Sequence, residues 1–177
     1  MTVSVMAEGH MKFKGIEMDG QLGPFVAALQ QQKFSVEEQS DDVAMLSGIF
    51  NGQETYVYAY ASARSHTVYQ VAVVFVHSGK EWSTIWNSYT TYQERLEKKY
   101  GEPTDYIEEN RCSFSQNDPL FSLRTDQAEY WTLYKADYGS ILLSIKNLSF
   151  PFDVHVCITY VDAANWGLNE NEVLEDL

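Results

Sequence analysis

A nucleophile, a base and an orienting carboxylate can be assembled from three residues near the end of the chain. Asp153 and His155 are two positions apart in FDVHVCITYVD, so a β-strand would place both side chains on one face. Ser144, in the preceding segment, could face them as a nucleophile, with His155 as its base. An Asp-x-His pair on a strand is far more often ordinary solvated surface than a catalytic pair. We therefore assign no catalytic residue.

The other side chains that could bind metals or take part in catalysis are not spaced as such sites require. The four histidines form no HExxH pair, and neither GxSxG nor a phosphate-binding loop occurs in the sequence. Three acidic pairs lack the alternating oxygen ligands and central glycine of a calcium loop. These pairs are Glu37–Glu38, Asp41–Asp42 and Glu108–Glu109. The sequence therefore predicts neither a metal site nor a cofactor.

The two cysteines, Cys112 and Cys157, do not form a CxxC motif. We expect two isolated core thiols, because cysteine outside disulfides is often simply a small buried residue. A disulfide between them is the alternative if the chain is exported, since disulfides persist in oxidising compartments.

The charge of the chain limits the partners that it can attract. With 12 Lys and Arg and 25 Asp and Glu, the formal net charge is −13 at pH 7. Phosphate backbones and anionic lipid headgroups would be repelled, so nucleic-acid binding is not expected. No apolar run approaches the roughly 20 residues that a membrane-spanning helix needs. The 177 residues, 45% of them hydrophobic, suffice for one domain with a substantial core.

Two amphipathic helices are predicted from apolar residues that recur at steps of three or four. The longer helix covers residues 81–100 and is ended by Gly101 and Pro103. A ligand platform on this helix would leave a wide apolar stripe in water, so we expect the stripe to face a core. The stripe consists of Trp82, Ile85, Trp86, Tyr89, Tyr92, Leu96 and Tyr100. The shorter helix begins at Asp19 or Gly20, and its apolar positions are Leu22, Phe25, Val26 and Leu29.

Each predicted helix is followed by about four strands, with a tight glycine turn between the second and the third. These turns are Asn51–Gly52 and Asp137–Gly139. The two halves, about 11–78 and 79–162, are therefore alike in structure more than in sequence. Packing of secondary structure in layers then predicts an α+β fold. It has one large antiparallel sheet built from two helix-plus-four-strand units, with both helices on one face.

Alternation along the strands predicts which side of this sheet is open to solvent. Between residues 53 and 62, Val57, Ala59 and Ala61 point one way and would leave room beneath the indoles of the long helix. Tyrosines point the other way, and with Tyr134 they form the candidate contact surface, because tyrosine is enriched at interfaces. They are Tyr56, Tyr58 and Tyr60. The alternatives are a purely solvated surface, or one covered by the acidic C-terminal segment.

The ends of the chain lie outside the predicted α+β domain of residues 11–165. Val5-Met6-Ala7 matches the end of a secretory signal peptide with cleavage after Ala7, if the rest of the signal lies upstream of Met1. The alternative is a frayed terminus. Residues 1–10 are thus a signal-peptide remnant or a flexible N-terminus, and residues 166–177 are an acidic tail. A periplasmic or secreted location and a cytoplasmic one both stay open on these residues.

Structural motifs occur in three segments, namely HMKFKGIEMDGQLGPFVAALQQQKF, SGIFNG and WSTIWNSYTTYQERLEKKYGEP. These segments resemble an uncharacterised family of secreted proteins from gut Bacteroidetes. The resemblance covers most of residues 10–165 and implies export, but its motifs are structural, so no functional residue is carried over. The repeated helix-plus-strands pattern is also similar to the tandem units of β-lactamase-inhibitor-like proteins. That likeness implies a secreted binding module, by analogy of fold alone.

Hypotheses from different classes follow from the sequence. The first is an exported, non-catalytic binding or inhibitory module that contacts a protein or a glycan through the open sheet face. The alternatives are a small periplasmic hydrolase whose site has no recognisable motif, and a structural accessory protein. A shallow tyrosine surface would favour the first hypothesis, whereas a deep pocket with convergent carboxylates would favour the hydrolase.

Overall fold

Ten strands and four helices are defined in the computed structural model, which describes residues 9–113 and 118–175. A small hairpin consists of β1 (Lys12–Phe13) and β2 (Ile16–Glu17). The other strands are β3 (Ser35–Gln39), β4 (Val43–Phe50), β5 (Gln53–Ala61), β6 (Val68–Phe75), β7 (Asp105–Asn110), β8 (Ala128–Ala136), β9 (Gly139–Leu148) and β10 (Asp153–Asp162). The helices are α1 (Leu22–Gln31), α2 (Trp82–Tyr100), α3 (Pro119–Arg124) and α4 (Ala163–Glu175). The predicted signal-peptide cleavage site after Ala7 lies outside the described residues.

The eight long strands form one antiparallel sheet in the order β3-β4-β5-β6-β10-β9-β8-β7. Each predicted unit supplies one half, since α1 precedes β3 to β6 and α2 precedes β7 to β10. The last strands of the two units, β6 and β10, pair at the centre, with Val73 opposite Ile158. Because the strand order is the same from either edge, an approximate two-fold axis relates the halves. The predicted α+β fold with one large antiparallel sheet is confirmed.

Both α1 and α2 pack on the same face of the sheet. The strands contribute every second residue to the core beneath them, such as Val57 of β5 and Leu143 of β9. Burial of one sheet face by two helices therefore accounts for most of the core, as the layer rule predicts. The buried residues of the two helices belong to one continuous core and are Leu22, Phe25, Val26, Leu29, Ile85, Tyr89, Tyr92 and Leu96.

The tryptophans of α2 are less buried than their spacing predicts. Trp82 and Trp86 are half-buried and pack against Tyr130 of β8, with ring centroids 5.2 and 5.8 Å from it. The expectation that small residues of β5 make room for these indoles is wrong. The reason is that α2 lies over β8, β9 and β10, whereas α1 lies over β3, β4 and β5. The fully buried face of α2 consists of Ile85, Tyr89, Tyr92 and Leu96.

The helix ends differ in detail from the predicted ones. Helix α1 begins slightly later than predicted, at Leu22. Glu81 occupies the N-cap position of α2, and the Ser78 hydroxyl donates to the Phe152 carbonyl at 3.0 Å. The C-terminal end of α2 agrees with the prediction, since Gly101 follows it with a φ of +87° that favours glycine.

The segment predicted as an acidic tail, 166–177, is helical as far as residue 175 and belongs to α4. Asp162 is fully buried and caps this helix, because its Oδ1 accepts from the Asn165 amide at 2.9 Å. Its Oδ2 accepts from the Met11 amide at 2.7 Å. The Asn165 side-chain amide in turn donates to the Val68 carbonyl at 2.9 Å. The chain end is therefore hydrogen-bonded to both the N-terminal hairpin region and the centre of the sheet.

We expect Tyr89→Ala to lower the free energy of unfolding by about 3–5 kcal/mol, as truncations of buried aromatic residues do. Tyr89 is fully buried and its hydroxyl is 2.7 Å from the Thr132 hydroxyl. Trp86→Ala should cost only about 1–2 kcal/mol, because the indole is half-buried and less apolar area is lost. Urea unfolding measures both values. A larger loss for Trp86→Ala than for Tyr89→Ala would contradict the packing of α2.

Candidate binding surface

The face of the sheet opposite α1 and α2 carries three tyrosines of β5. Tyr56, Tyr58 and Tyr60, called the tyrosine row below, alternate with the buried Val57 and Ala59 and are partly exposed. Their neighbours across β6 are Val74, Ala72 and Gln70, in that order. The prediction that these three side chains point away from the helices is confirmed.

Tyr134 does not belong to this surface, and its assignment to the candidate contact surface is wrong. It is fully buried on the helix-covered face, opposite Ile141 of β9. Its hydroxyl donates to the Gln93 carbonyl of α2 at 3.2 Å. The error arises because alternation within β8 defines two sets of residues but not which set α2 covers.

Neighbouring aromatic residues hold the tyrosine row in place. The rings of Tyr58 and Tyr60 stack with centroids 6.4 Å apart and planes 17° apart. Tyr56 meets the edge of Phe150, which is 53% exposed, at 5.2 Å. The Tyr58 hydroxyl donates to the Phe150 carbonyl at 3.2 Å. Burial, followed by the neighbouring Tyr60, raises the pKa of Tyr58 to about 12, so its hydroxyl remains a donor at neutral pH.

Helix α4 borders the tyrosine row without burying it. A bulge in the pairing of β5 with β6 lies at Tyr60 and Ala61, and Tyr69 is the extra residue on β6. Trp166 of α4 meets the Tyr69 ring edge-on at 5.5 Å. The sequence left open that the acidic C-terminal segment covers the tyrosines. In the structure this segment contacts Tyr69, and the tyrosine row remains partly exposed.

An apolar groove of about 1000 Å³ lies on the same face, over β8, β9, β10 and part of β6. Trp166 and the first turn of α4 form one wall, and Tyr138, in the turn between β8 and β9, forms another. Gln70 joins the groove to the tyrosine row, because it lies opposite Tyr60 in the sheet. The groove floor consists of Gln70, Leu133, Leu142, Thr159 and Val161.

Two glycines allow the close approaches that shape the Tyr138 wall. A Cβ atom on Gly139 would lie 1.9 Å from the Val161 carbonyl oxygen, so only glycine fits where β9 starts beside β10. A Cβ atom on Gly9 would lie 2.1 Å from the Tyr138 ring, so the backbone of Gly9 packs directly on this ring. The wall therefore depends on two residues that present no side chain.

The three residues considered for catalysis do not come together as a triad. His155 is fully buried, and its Nδ1 accepts from the His77 amide at 2.9 Å. Its Nε2 therefore carries the proton and donates to the carbonyls of residues 151 and 152, both at 3.1 Å. Asp153 bonds Arg124 instead of His155, and Ser144 lies opposite Cys157. His155 thus has no ring nitrogen left to act as a base, and it holds the loop before β10.

The described residues also bear on the metal, cysteine and membrane predictions. Both cysteines are buried, and burial raises the pKa of the Cys157 thiol to about 12. Within residues 9–113 and 118–175, no three His, Cys, Asp or Glu side chains are grouped as a metal site would require. The helices of this part of the chain include none that is both long and apolar enough to span a bilayer.

The fold and the surface together define an α+β protein with two helix-plus-four-strand units and one sheet face that α1 and α2 leave open. Comparisons with protein-family models, curated proteins and solved structures found no match to this chain. The case for a function therefore depends on the chemistry of this open face.

The ion pair beside the candidate catalytic residues should make the stability depend on pH in the acid range. The Arg124 guanidinium donates to Asp153 Oδ1 at 2.9 and 2.7 Å, and the Gly79 amide donates to Oδ2 at 3.2 Å. Burial alone would raise the pKa of Asp153, but these bonds outweigh it and hold the pKa below 3.8. Because folding lowers this pKa, the stabilisation is present above pH 3.8 and is lost as the pH falls below it.

We therefore expect Arg124→Gln to lower the free energy of unfolding at pH 7 by about 1 kcal/mol, a small value because the guanidinium is 43% exposed and screened by water. The difference from the wild type should shrink as the pH falls from 7 towards 2 in urea unfolding. In an Asp153→Asn background, the same substitution should have little effect at any pH. A loss that does not vary with pH would show that the ion pair is not its cause.

Proposed function

We propose that this protein is an exported, non-catalytic binding module that contacts a partner protein through the open sheet face, centred on the tyrosine row. The observation that carries the proposal is the partly exposed row of three tyrosines on a sheet face that neither α1 nor α2 covers. Tyrosine combines a large apolar ring with a hydroxyl and loses little side-chain entropy on binding.

The row is preorganised, which favours binding. Its residues lie in the middle of a paired strand, and Tyr58 is held by stacking on Tyr60 and by its bond to the Phe150 carbonyl. A surface whose side chains are already ordered loses less conformational freedom when a partner binds. Phe150, 53% exposed beside Tyr56, would extend the contact area.

A protein fits this surface better than a glycan does. Aromatic residues that bind sugars present free ring faces, whereas Tyr58 and Tyr60 stack on each other and Tyr56 lies against Phe150. The parts of these rings and hydroxyls that remain exposed combine apolar and polar surface, which suits the mixed surface of a protein interface. The net charge of −13 would further favour association with a basic partner.

Site-specific photo-crosslinking in the native cell tests this proposal. A benzophenone amino acid in place of Tyr60 should give a discrete crosslinked product, because this position would lie within the interface. Replacement of Tyr106 is the matched control, since this tyrosine is 62% exposed on the edge strand β7, away from the row. Crosslinking at Tyr106 but not at Tyr60 would place the interface elsewhere and overturn the proposal.

With the crosslinked partner identified, the triple variant Tyr56→Ser, Tyr58→Ser and Tyr60→Ser measures what the row contributes. Its affinity for that partner should fall by about 100-fold or more, because interface tyrosines are among the residues that carry binding energy. Circular dichroism should show an unchanged fold, since the core face of β5 is untouched. Unchanged affinity in a folded variant would contradict the proposal.

Export is the second part of the proposal, and it is supported by Val5-Met6-Ala7 and by the resemblance to secreted proteins. We expect N-terminal sequencing of the protein isolated from its native cell to give Glu8 as the first residue, because cleavage follows Ala7. The full upstream reading frame must be present in that experiment. A cytoplasmic chain that begins at Met1 would contradict export and leave the binding proposal intact.

A further inference from the structure

We propose that the apolar groove is a separate site for a small amphiphilic carboxylate, a molecule with one apolar chain and one anionic head. The chain would lie along the floor between Trp166 and Tyr138, and the head would bind Lys146. This inference does not depend on a protein partner at the tyrosine row.

The apolar part of the ligand matches the size and lining of the groove. Small-molecule sites typically have volumes of about 300–1000 Å³ and mostly apolar walls. The groove has about 1000 Å³, with Leu133 opposite Leu142 and Leu142 opposite Thr159 across its floor. Trp166 is 37% exposed and Tyr138 49% exposed, so both rings can cover an aliphatic chain.

The charge in the groove is opposite to that of the whole chain. Among the groove-lining residues, Lys135 and Lys146 carry positive charge and Asp137 carries negative charge, although the chain as a whole has a net charge of −13. Neither lysine forms an ion pair with any residue in the described part of the chain. Two cations beside apolar surface that pair with no described residue favour an anion that also has an apolar body.

Lys146 is the better anchor for the head. Lys135 lies near the end of β8, two positions before Asp137 in the following turn, and that carboxylate would offset its charge. Lys146 lies opposite His155 of β10 in the sheet. Burial raises the pKa of the Cys157 thiol and the Lys146 ammonium acts in the opposite direction, so this ammonium is close enough to Cys157 to interact with it. A carboxylate bound to Lys146 would therefore lie above the groove floor, while the apolar chain of the same ligand covers that floor.

A buried hydroxyl beside Lys146 gives independent support for a ligand head. The Ser144 hydroxyl is buried and has no hydrogen-bond partner within the described residues. Ser144 lies two positions before Lys146 on the same face of β9, and it lines a depression that shares Leu133, Leu142 and Lys146 with the groove. Buried polar groups normally have a partner, and a bound carboxylate would supply the missing acceptor.

Calorimetry with dodecanoate, below its micellar concentration, tests the site. We expect saturable binding with one site per chain, and binding of dodecyltrimethylammonium, with the same chain and a cationic head, at least about ten-fold weaker. Lys146→Glu should weaken dodecanoate binding by about ten-fold or more, and Ser144→Ala by several-fold. Lys80→Glu makes the same change of charge outside the groove and should leave the affinity within about two-fold.

A separate measurement tests where the apolar chain of dodecanoate lies. In an NMR titration with dodecanoate, the indole N–H signal of Trp166, assigned with Trp166→Phe, should shift, and those of Trp82 and Trp86 of α2 should not. Thr159→Trp should fill the floor and abolish binding. Equal binding of the two amphiphiles, or wild-type affinity in both Lys146→Glu and Ser144→Ala, would overturn the proposal.

The triple tyrosine variant separates this inference from the proposed function. It leaves the groove floor intact and should retain its affinity for dodecanoate, whatever it does to a protein partner. Loss of dodecanoate binding in that folded variant would show that the ligand lies on the tyrosine row, and would also overturn the groove assignment.

Discussion

The antiparallel pairing of β6 with β10 is the interaction on which the rest of the structure depends. It joins the last strands of two units, with Val73 opposite Ile158, and makes one eight-stranded sheet from two four-stranded ones. Because the pairing relates the units by a two-fold axis perpendicular to the sheet, α1 and α2 must lie on the same side. One face then carries the core, and neither α1 nor α2 covers the other.

The two halves of this open face carry different side chains on equivalent strands. Strands β5 and β9 each begin directly after a two-residue hairpin turn, so their fourth, sixth and eighth residues correspond. In β5 these residues are the tyrosine row, whereas in β9 they are Leu142, Ser144 and Lys146. The same backbone thus presents ordered aromatic rings on one side of the axis and an apolar groove with a cation on the other. Two kinds of binding chemistry can therefore share one sheet.

Buried polar side chains hold the ends and loops of the fold and are not arranged for catalysis. Asp162 caps α4 and accepts from the Met11 amide, while His155 uses both ring nitrogens on neighbouring backbone groups. Asp153 fixes α3 to the start of β10 through Arg124. In the sequence, each of these residues could be mistaken for a catalytic residue. Buried backbone amides and carbonyls need hydrogen-bond partners, and the side chains that supply them are of the same types that active sites use.

The sequence by itself determined the local elements, because a helix stripe, a glycine turn and strand alternation depend only on neighbouring residues. It predicted α1 and α2, the eight strands of the large sheet and the outward direction of Tyr56, Tyr58 and Tyr60. The tertiary structure decided what depends on distant pairing: that α2 lies over β8 to β10, that Tyr134 is buried beneath it, and that the C-terminal segment forms α4. The groove also required tertiary structure, since its floor combines β6, β8, β9 and β10, whose register no local pattern specifies.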